Sequence, residues 1–214
     1  MLNFTFHNPT AIVFGEGSIT QLSERIPAGA RVLLLYGGSS AEKNGTLKEV
    51  RAALHGRDVH EFGGIEPNPT YETLMRAVEL VRANNLDFLL AVGGGSVIDG
   101  TKFVAAAVNF QGDPWEILES HGTVVSGAMP FGSVLTLPAT GSEMNSGAVI
   151  TRRASKAKLS FLSDHVFPRF SILDPTKTNS LPERQLANGV VDAFTHVMEQ
   201  YLNYPAGGLI QDRF

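Results

Sequence analysis

Leu86-Asp-Phe-Leu-Leu-Ala-Val92 runs without a break into Gly93-Gly94-Gly95-Ser96-Val97-Ile98-Asp99-Gly100-Thr101-Lys102. The first half is an almost continuous apolar run, as expected of a strand buried on both faces. Val97 to Val108 continues as a helix. The glycines between them let the backbone approach a ligand. They also leave consecutive N–H groups near a helix N-terminus, where an anion is favoured. This is not the spaced G-x-G-x-x-G fingerprint. Ser96 and Asp99 also have the spacing of a capping box, so a tight turn before a well-capped helix accounts for the same residues. Lys102, taken alone, reads as a solvated surface lysine.

The same rhythm extends outward. Arg31-Val-Leu-Leu-Leu-Tyr36 is a second buried run, and it ends in Gly37-Gly38. Ala41 to Leu54 reads as a helix and Val59 to Phe62 as a short strand. Thr70 can cap the next helix, in which Leu74, Ala77, Val78 and Val81 fall on one face. Asn84-Asn85 ends it. Gly132 to Leu137 is a further strand, followed by Pro138-Ala-Thr-Gly-Ser142. Ser171 to Leu173 precedes Asp174-Pro175. Repeated β-then-α with buried strands predicts an α/β fold with a doubly wound, mostly parallel, Rossmann-like sheet. Ligands of such sheets sit beyond the carboxyl ends of the strands. The turns at 37–40, 93–96 and 138–142 all follow strands, and their convergence points to a nucleotide site. From about Leu181 the pattern changes. Glu183 to Leu202 reads as one long helix. The expected organisation is a nucleotide-binding α/β domain over 1–180 and the beginning of a helical metal-binding domain over 181–214.

Composition narrows the partners. The chain has 214 residues, 43% of them apolar and 18% charged, the balance of an ordinary globular protein. It has no cysteine, so disulfides and thiolate metal sites are excluded. A net charge of −4 argues against nucleic acid or an anionic membrane as the main partner. No signal-peptide pattern opens the sequence, and no apolar run approaches the roughly 20 residues that span a bilayer. A cytoplasmic protein is expected.

Tyr36-Gly37-Gly38-Ser39-Ser40 is where an adenosine ribose should lie. An NAD-selective site places Asp or Glu there for the 2′-hydroxyl. Here no acid occurs before Glu42, and small donors could hold a 2′-phosphate, so the chemistry leans toward NADP(H). A plain glycine turn accounts for the same residues. Thr136, Thr140 and Ser142 supply hydroxyls that could bind phosphate, ribose or a nicotinamide carboxamide; an ordinary Ser/Thr-rich loop fits them equally. Asp192 and His196 are four apart in the long helix and leave its surface on one face. An oxygen and a nitrogen donor suit a divalent metal, Fe or Zn. A hydrogen bond on the helix surface has the same spacing. His7, His55, His60, His121 and His165 are scattered and read as structural or surface residues.

Taken in order along the chain, these motifs resemble the iron-containing (group III) alcohol dehydrogenases. They are the glycine turn at 37–40, Glu66-Pro67-Asn68-Pro69, Gly93-Gly-Gly-Ser-x-x-Asp-x-x-Lys102, Thr136 to Glu143, and Asp192-x-x-x-His196. Glu61-Phe-Gly-Gly-Ile-Glu-Pro-Asn-Pro69 and Ala187-Asn-Gly-Val-Val-Asp-Ala-Phe194 are most similar to the aldehyde reductase and butanol dehydrogenase branch. The resemblance implies an α/β nucleotide domain, an all-helical metal domain and an active site in the cleft between them. It puts Gly37, Gly38 and Ser40 at the adenosine end, with Asn68 also among the cofactor-binding positions. It puts Gly94, Gly95, Ser96 and Asp99 at pyrophosphate and ribose, and Thr136, Thr140 and Ser142 on the nicotinamide side. Lys158 matches a lysine near the nicotinamide ribose. Asp192 and His196 match the first two metal ligands. Ser39 stands where related sequences often have a third glycine.

The family's remaining ligands are histidines farther along, and no histidine follows His196 here. A truncated member is therefore expected, inactive by itself, whose intact parent reduces small aldehydes to alcohols with NADPH. Two further readings share the architecture: a non-catalytic nucleotide-binding module, and an enzyme like dehydroquinate synthase or glycerol-phosphate dehydrogenase. The alternation of Phe4 and Phe6 with polar residues predicts an edge at Leu2 to Phe6 through which the parent forms a homodimer.

Overall fold

The central strands form where the apolar runs are, and they are buried on both faces. The computed structural model describes residues 3, 5 and 7–202. The strands are β1 (Ala11–Phe14), β2 (Arg31–Tyr36), β3 (Asp58–Phe62), β4 (Phe88–Gly94), β5 (Phe131–Leu137), β6 (Gly147–Arg152), β7 (Ala157–Leu162) and β8 (Phe170–Leu173). The helices are α1 (Leu22–Arg25), α2 (Ser40–Lys43), α3 (Thr46–Ala53), α4 (Tyr71–Ala83), α5 (Gly95–Ala107), α6 (Glu116–Glu119) and α7 (Glu183–Leu202). Six strands make one sheet in the order β1-β8-β5-β4-β2-β3. Every pairing in it is parallel.

Alternate residues of the central strands serve two cores. Leu33, Leu35, Leu89 and Ala91 pack with Leu74, Val78 and Val81 of α4 and Ile98 and Phe103 of α5. Val32, Leu34, Leu90 and Val92 pack on the other face with Leu22 of α1 and Leu47 and Val50 of α3. A strand with two apolar neighbourhoods can spare neither set of side chains, which is why β2 and β4 read as continuous apolar runs.

From β2 the chain winds outward to β3 on one side and to β4, β5 and β8 on the other. The winding therefore reverses between β2 and β4. Such a reversal opens a crevice at the carboxyl ends of the strands. The sequence fills that position with Gly37-Gly38 after β2 and Gly93-Gly94-Gly95 at the end of β4.

Some expectations change. The helix expected over Ala41 to Leu54 is two helices, because Gly45 takes φ 81° and breaks the run. Thr70 does stand at the N-cap of α4, but its hydroxyl donates to Glu66 Oε1 at 2.6 Å and caps nothing. β6 and β7 form an antiparallel hairpin outside the main sheet that the sequence reading did not anticipate. Leu2, Phe4 and Phe6, on which the dimer expectation rests, lie outside the described residues. Among the described residues, no helix is long and apolar enough to cross a membrane.

The chain divides into two units, Met1–Asn179 and Ser180–Phe214. The second contains α7, which follows the helix expected from the sequence. Leu186, Val190, Val191, Phe194, Val197, Tyr201 and Leu202 are all exposed on it.

Candidate functional site

The end of β4 is built around the absence of side chains. The ladder between β4 and β5 shifts register between Gly93 and Gly94. A Cβ on Gly93 would stand 2.6 Å from Val97 Cγ2, and one on Gly94 3.2 Å from Leu137 Cβ. A Cβ on Gly95 would stand 2.2 Å from Thr140 Oγ1. The loop after β5 thus closes directly onto the turn that opens α5. Gly94 is the N-cap of α5 and no side chain caps that end. The first N–H groups of a helix have no partners within it, and they favour an anion. At the neighbouring strand end, a Cβ on Gly37 would meet Ile65 O at 3.2 Å, whereas one on Gly38 would meet nothing within 4 Å. Gly37 is fixed by packing, while Gly38 faces open space beside the exposed Ser39 and Ser40.

The expected polar residues fall into two linked groups. Asn68, held at φ 56°, donates its N–H to Ser96 Oγ at 3.3 Å. Its Oδ1 accepts from Lys158 Nζ at 2.7 Å. Residues far apart in sequence are thus joined across the mouth of the turn. Glu66 anchors the same loop, accepting from Thr70, Thr73 and Arg153. Burial pushes its carboxyl up, but hydrogen bonds from Thr70, its own backbone and Thr73, with the Arg153 charge, outweigh this and hold it below the usual range.

The second group involves Asp99. Its Oδ1 accepts from Ser142 Oγ at 2.6 Å and its Oδ2 from the Val149 N–H at 2.9 Å. The capping-box reading of Ser96 and Asp99 fails, because Asp99 reaches sideways to another segment and not back to its own helix end. Burial raises its pKa, opposed by these two hydrogen bonds and by Lys102. Thr140 Oγ1 accepts from the Ser142 N–H at 3.3 Å, and Thr136 is the next-to-last residue of β5.

Lys102 corrects the sequence reading most sharply. It is 0% exposed. Its Nζ donates to Asn145 Oδ1 and to Gly147 O, both at 2.8 Å. Burial pulls its pKa down to about 8, against the opposing pull of Asp99 and Glu143. Asn145 and Gly147 were missed in the sequence because nothing local marks them as partners of a helix lysine. The lowered pKa has a measurable consequence. Below pH 8 the folded and unfolded chains both hold the proton, and the burial penalty is in full force. Between about 8 and the ordinary 10.5 the unfolded chain holds more protons, so this site's contribution to stability rises with pH. Urea unfolding at about pH 7.5 and about pH 9.5 should show the native chain gaining roughly 1–2 kcal/mol relative to Lys102→Met. An equal pH response in both proteins would contradict the shift.

The arrangement fits a dinucleotide. A cradle that a Cβ would fill lies at the winding reversal, with an uncapped helix end facing it and hydroxyls and an amine around it. The metal is only partly provided for. Asp192 Oδ2 and His196 Nε2 lie 3.6 Å apart on α7, with side chains 56% and 65% exposed. Glu199 Oε2 lies 3.5 Å from His196 Nδ1. An oxygen and a nitrogen donor suit Fe²⁺ or Zn²⁺, but such sites usually take at least three protein ligands. The described residues contain no group of three or more His, Asp or Glu that could hold a metal.

Comparison with known proteins supplies the family. The chain is 59% identical to the NADPH-dependent aldehyde reductase YqhD of Escherichia coli, over all of this chain and 56% of that protein. It is 47% identical to the probable NADH-dependent butanol dehydrogenase 1 of Bacillus subtilis, again over all of this chain and 56% of that protein. The solved substrate- and cofactor-free form of YqhD superposes with a TM-score of 0.91 at 56% identity, covering 99% of this chain and 55% of that one. The chain therefore spans little more than half the length of these relatives. Residues 9–175 match the family model described as iron-containing alcohol dehydrogenase. On that match, the chain belongs to the iron-containing alcohol dehydrogenase family.

Proposed function

We propose that this chain forms the nucleotide-binding part of a metal-assisted aldehyde reductase that prefers NADP(H). The observation that carries this is the Gly94-Gly95-Ser96 turn at the winding reversal, closed by Thr140. The two bound groups would supply a hydride and a Lewis acid for the carbonyl oxygen of a small aldehyde. The chain's residues position them. The turn and the first N–H groups of α5 would hold the pyrophosphate, and Lys158, oriented by Asn68, would hold a ribose. Thr136, Thr140 and Ser142 would orient the nicotinamide. Asp192 and His196 are the donors this chain offers a metal.

The NADP(H) preference rests on residues 37–40, which carry no acid. The relatives divide on this point, one described as NADPH-dependent and the other as NADH-dependent. Gly38 has room for a side chain, so Gly38→Asp tests charge without a clash. A carboxylate there would repel a 2′-phosphate and accept from a 2′-hydroxyl. NADPH affinity should fall about tenfold or more while NADH affinity rises. Fluorescence titration with both nucleotides measures this. Native binding of NADH as tight as that of NADPH would refute the preference.

A further inference from the structure

Among the described residues Lys102 is the one fully buried cation, and the proposed cofactor contacts do not include it. Being wholly buried, it cannot touch a nucleotide lying in the crevice. Its cost is real, since an ammonium taken from water loses far more than a methionine of similar length would. What the lysine provides in return is geometry. Its two hydrogen bonds hold Asn145 and Gly147, and Asn145 Oδ1 also accepts from the Gly147 N–H at 3.0 Å. One turn earlier on the same helix, Asp99 grips Ser142 and Val149. Residues 142–149 are therefore fastened to α5 by Asp99 at both ends and by Lys102 between them. Ser142 is bonded in turn to Thr140, which closes on Gly95.

We propose that Lys102 is a positioning residue for nucleotide binding, acting through Asn145 and Gly147 to set Thr140 and Ser142 over the Gly95 turn. This inference rests on the nucleotide reading of the site and adds a direction to it. Fixing this segment serves the nicotinamide half of the cofactor, while the adenosine half is held at Gly37 to Ser40, on a different strand end. A residue needed only for the fold would weaken both halves together.

The test is calorimetric titration of the 214-residue chain with NADPH and with adenosine 2′,5′-bisphosphate, which lacks the nicotinamide half. Lys102→Met and Asn145→Ala are compared with the native chain, and melting midpoints are recorded. Asn145 is exposed, so its variant keeps the experiment decisive if Lys102→Met fails to fold. NADPH binding should weaken about tenfold in both variants, the worth of a charge-assisted hydrogen bond, with bisphosphate binding within about twofold of native. Equal loss of both ligands, or no loss of either, would overturn the positioning role while leaving the nucleotide site intact. A native chain that binds neither ligand would overturn the nucleotide reading and this inference with it.

Discussion

Gly95→Val is expected to abolish NADPH binding while leaving the far-ultraviolet circular dichroism unchanged. Even a single Cβ at this position would stand 2.2 Å from Thr140 Oγ1 and 2.7 Å from Thr140 Cγ2. Thr140 is exposed, in a loop that can give way, so the fold survives by moving it. The movement takes the closing residue off the turn, and the valine methyl groups occupy the space where a phosphate would meet the helix N–H groups. The loss should be on the order of 100-fold or more, equal to losing two charge-assisted hydrogen bonds. Gly93→Val makes the contrast. Its Cβ would strike Val97 of the adjoining helix, which is buried, so it should damage the fold as well as binding. Native affinity in the Gly95 variant would mean that the turn is only structural.

The second large effect concerns α7. In a chain extended to the length of its relatives, Asp192→Ala or His196→Ala should remove reduction of a simple aldehyde such as butanal. The loss should be on the order of 100- to 1000-fold, as expected when a carbonyl loses its Lewis acid. NADPH binding should persist, because the turn proposed to hold the nucleotide lies in the other unit of the chain. Stability should change little, since both side chains are more than half exposed and surface ion pairs contribute about 0–1 kcal/mol. Activity assays and metal analysis of the same samples read the result. Full turnover in either variant would remove these residues from the metal site.

Much of the architecture is legible in the sequence for a physical reason. β2 and β4 are apolar throughout because both faces of the sheet are covered, and α4 shows its buried stripe through Leu74, Ala77, Val78 and Val81. The breaks and the hairpin are less legible. Asn44-Gly45 sits inside a helical pattern, and only the positive φ of Gly45 shows that the helix stops. β6 and β7 are only partly buried, and the residue that turns positive between them is Lys156, not a glycine. At the site, the glycine turns are local and readable. The pairings that organise them are not. Asp99 meets Ser142 across 43 residues and Lys158 meets Asn68 across 90. Lys102 reads as a surface residue because a lysine in a helix normally is one, and its burial depends on a segment whose approach no local pattern encodes.

The most direct measurement is an amide-resolved NMR titration of the isotope-labelled chain with NADPH. If the nucleotide lies in the crevice between β2 and β4, shifts should concentrate at Gly38, Gly94, Gly95, Ser96, Thr140 and Ser142. Gly29, Gly56 and Asp87, at the opposite ends of β2, β3 and β4, should stay unchanged. Shifts at that opposite edge with none at the glycine turns, or no saturable shifts at all, would contradict the account.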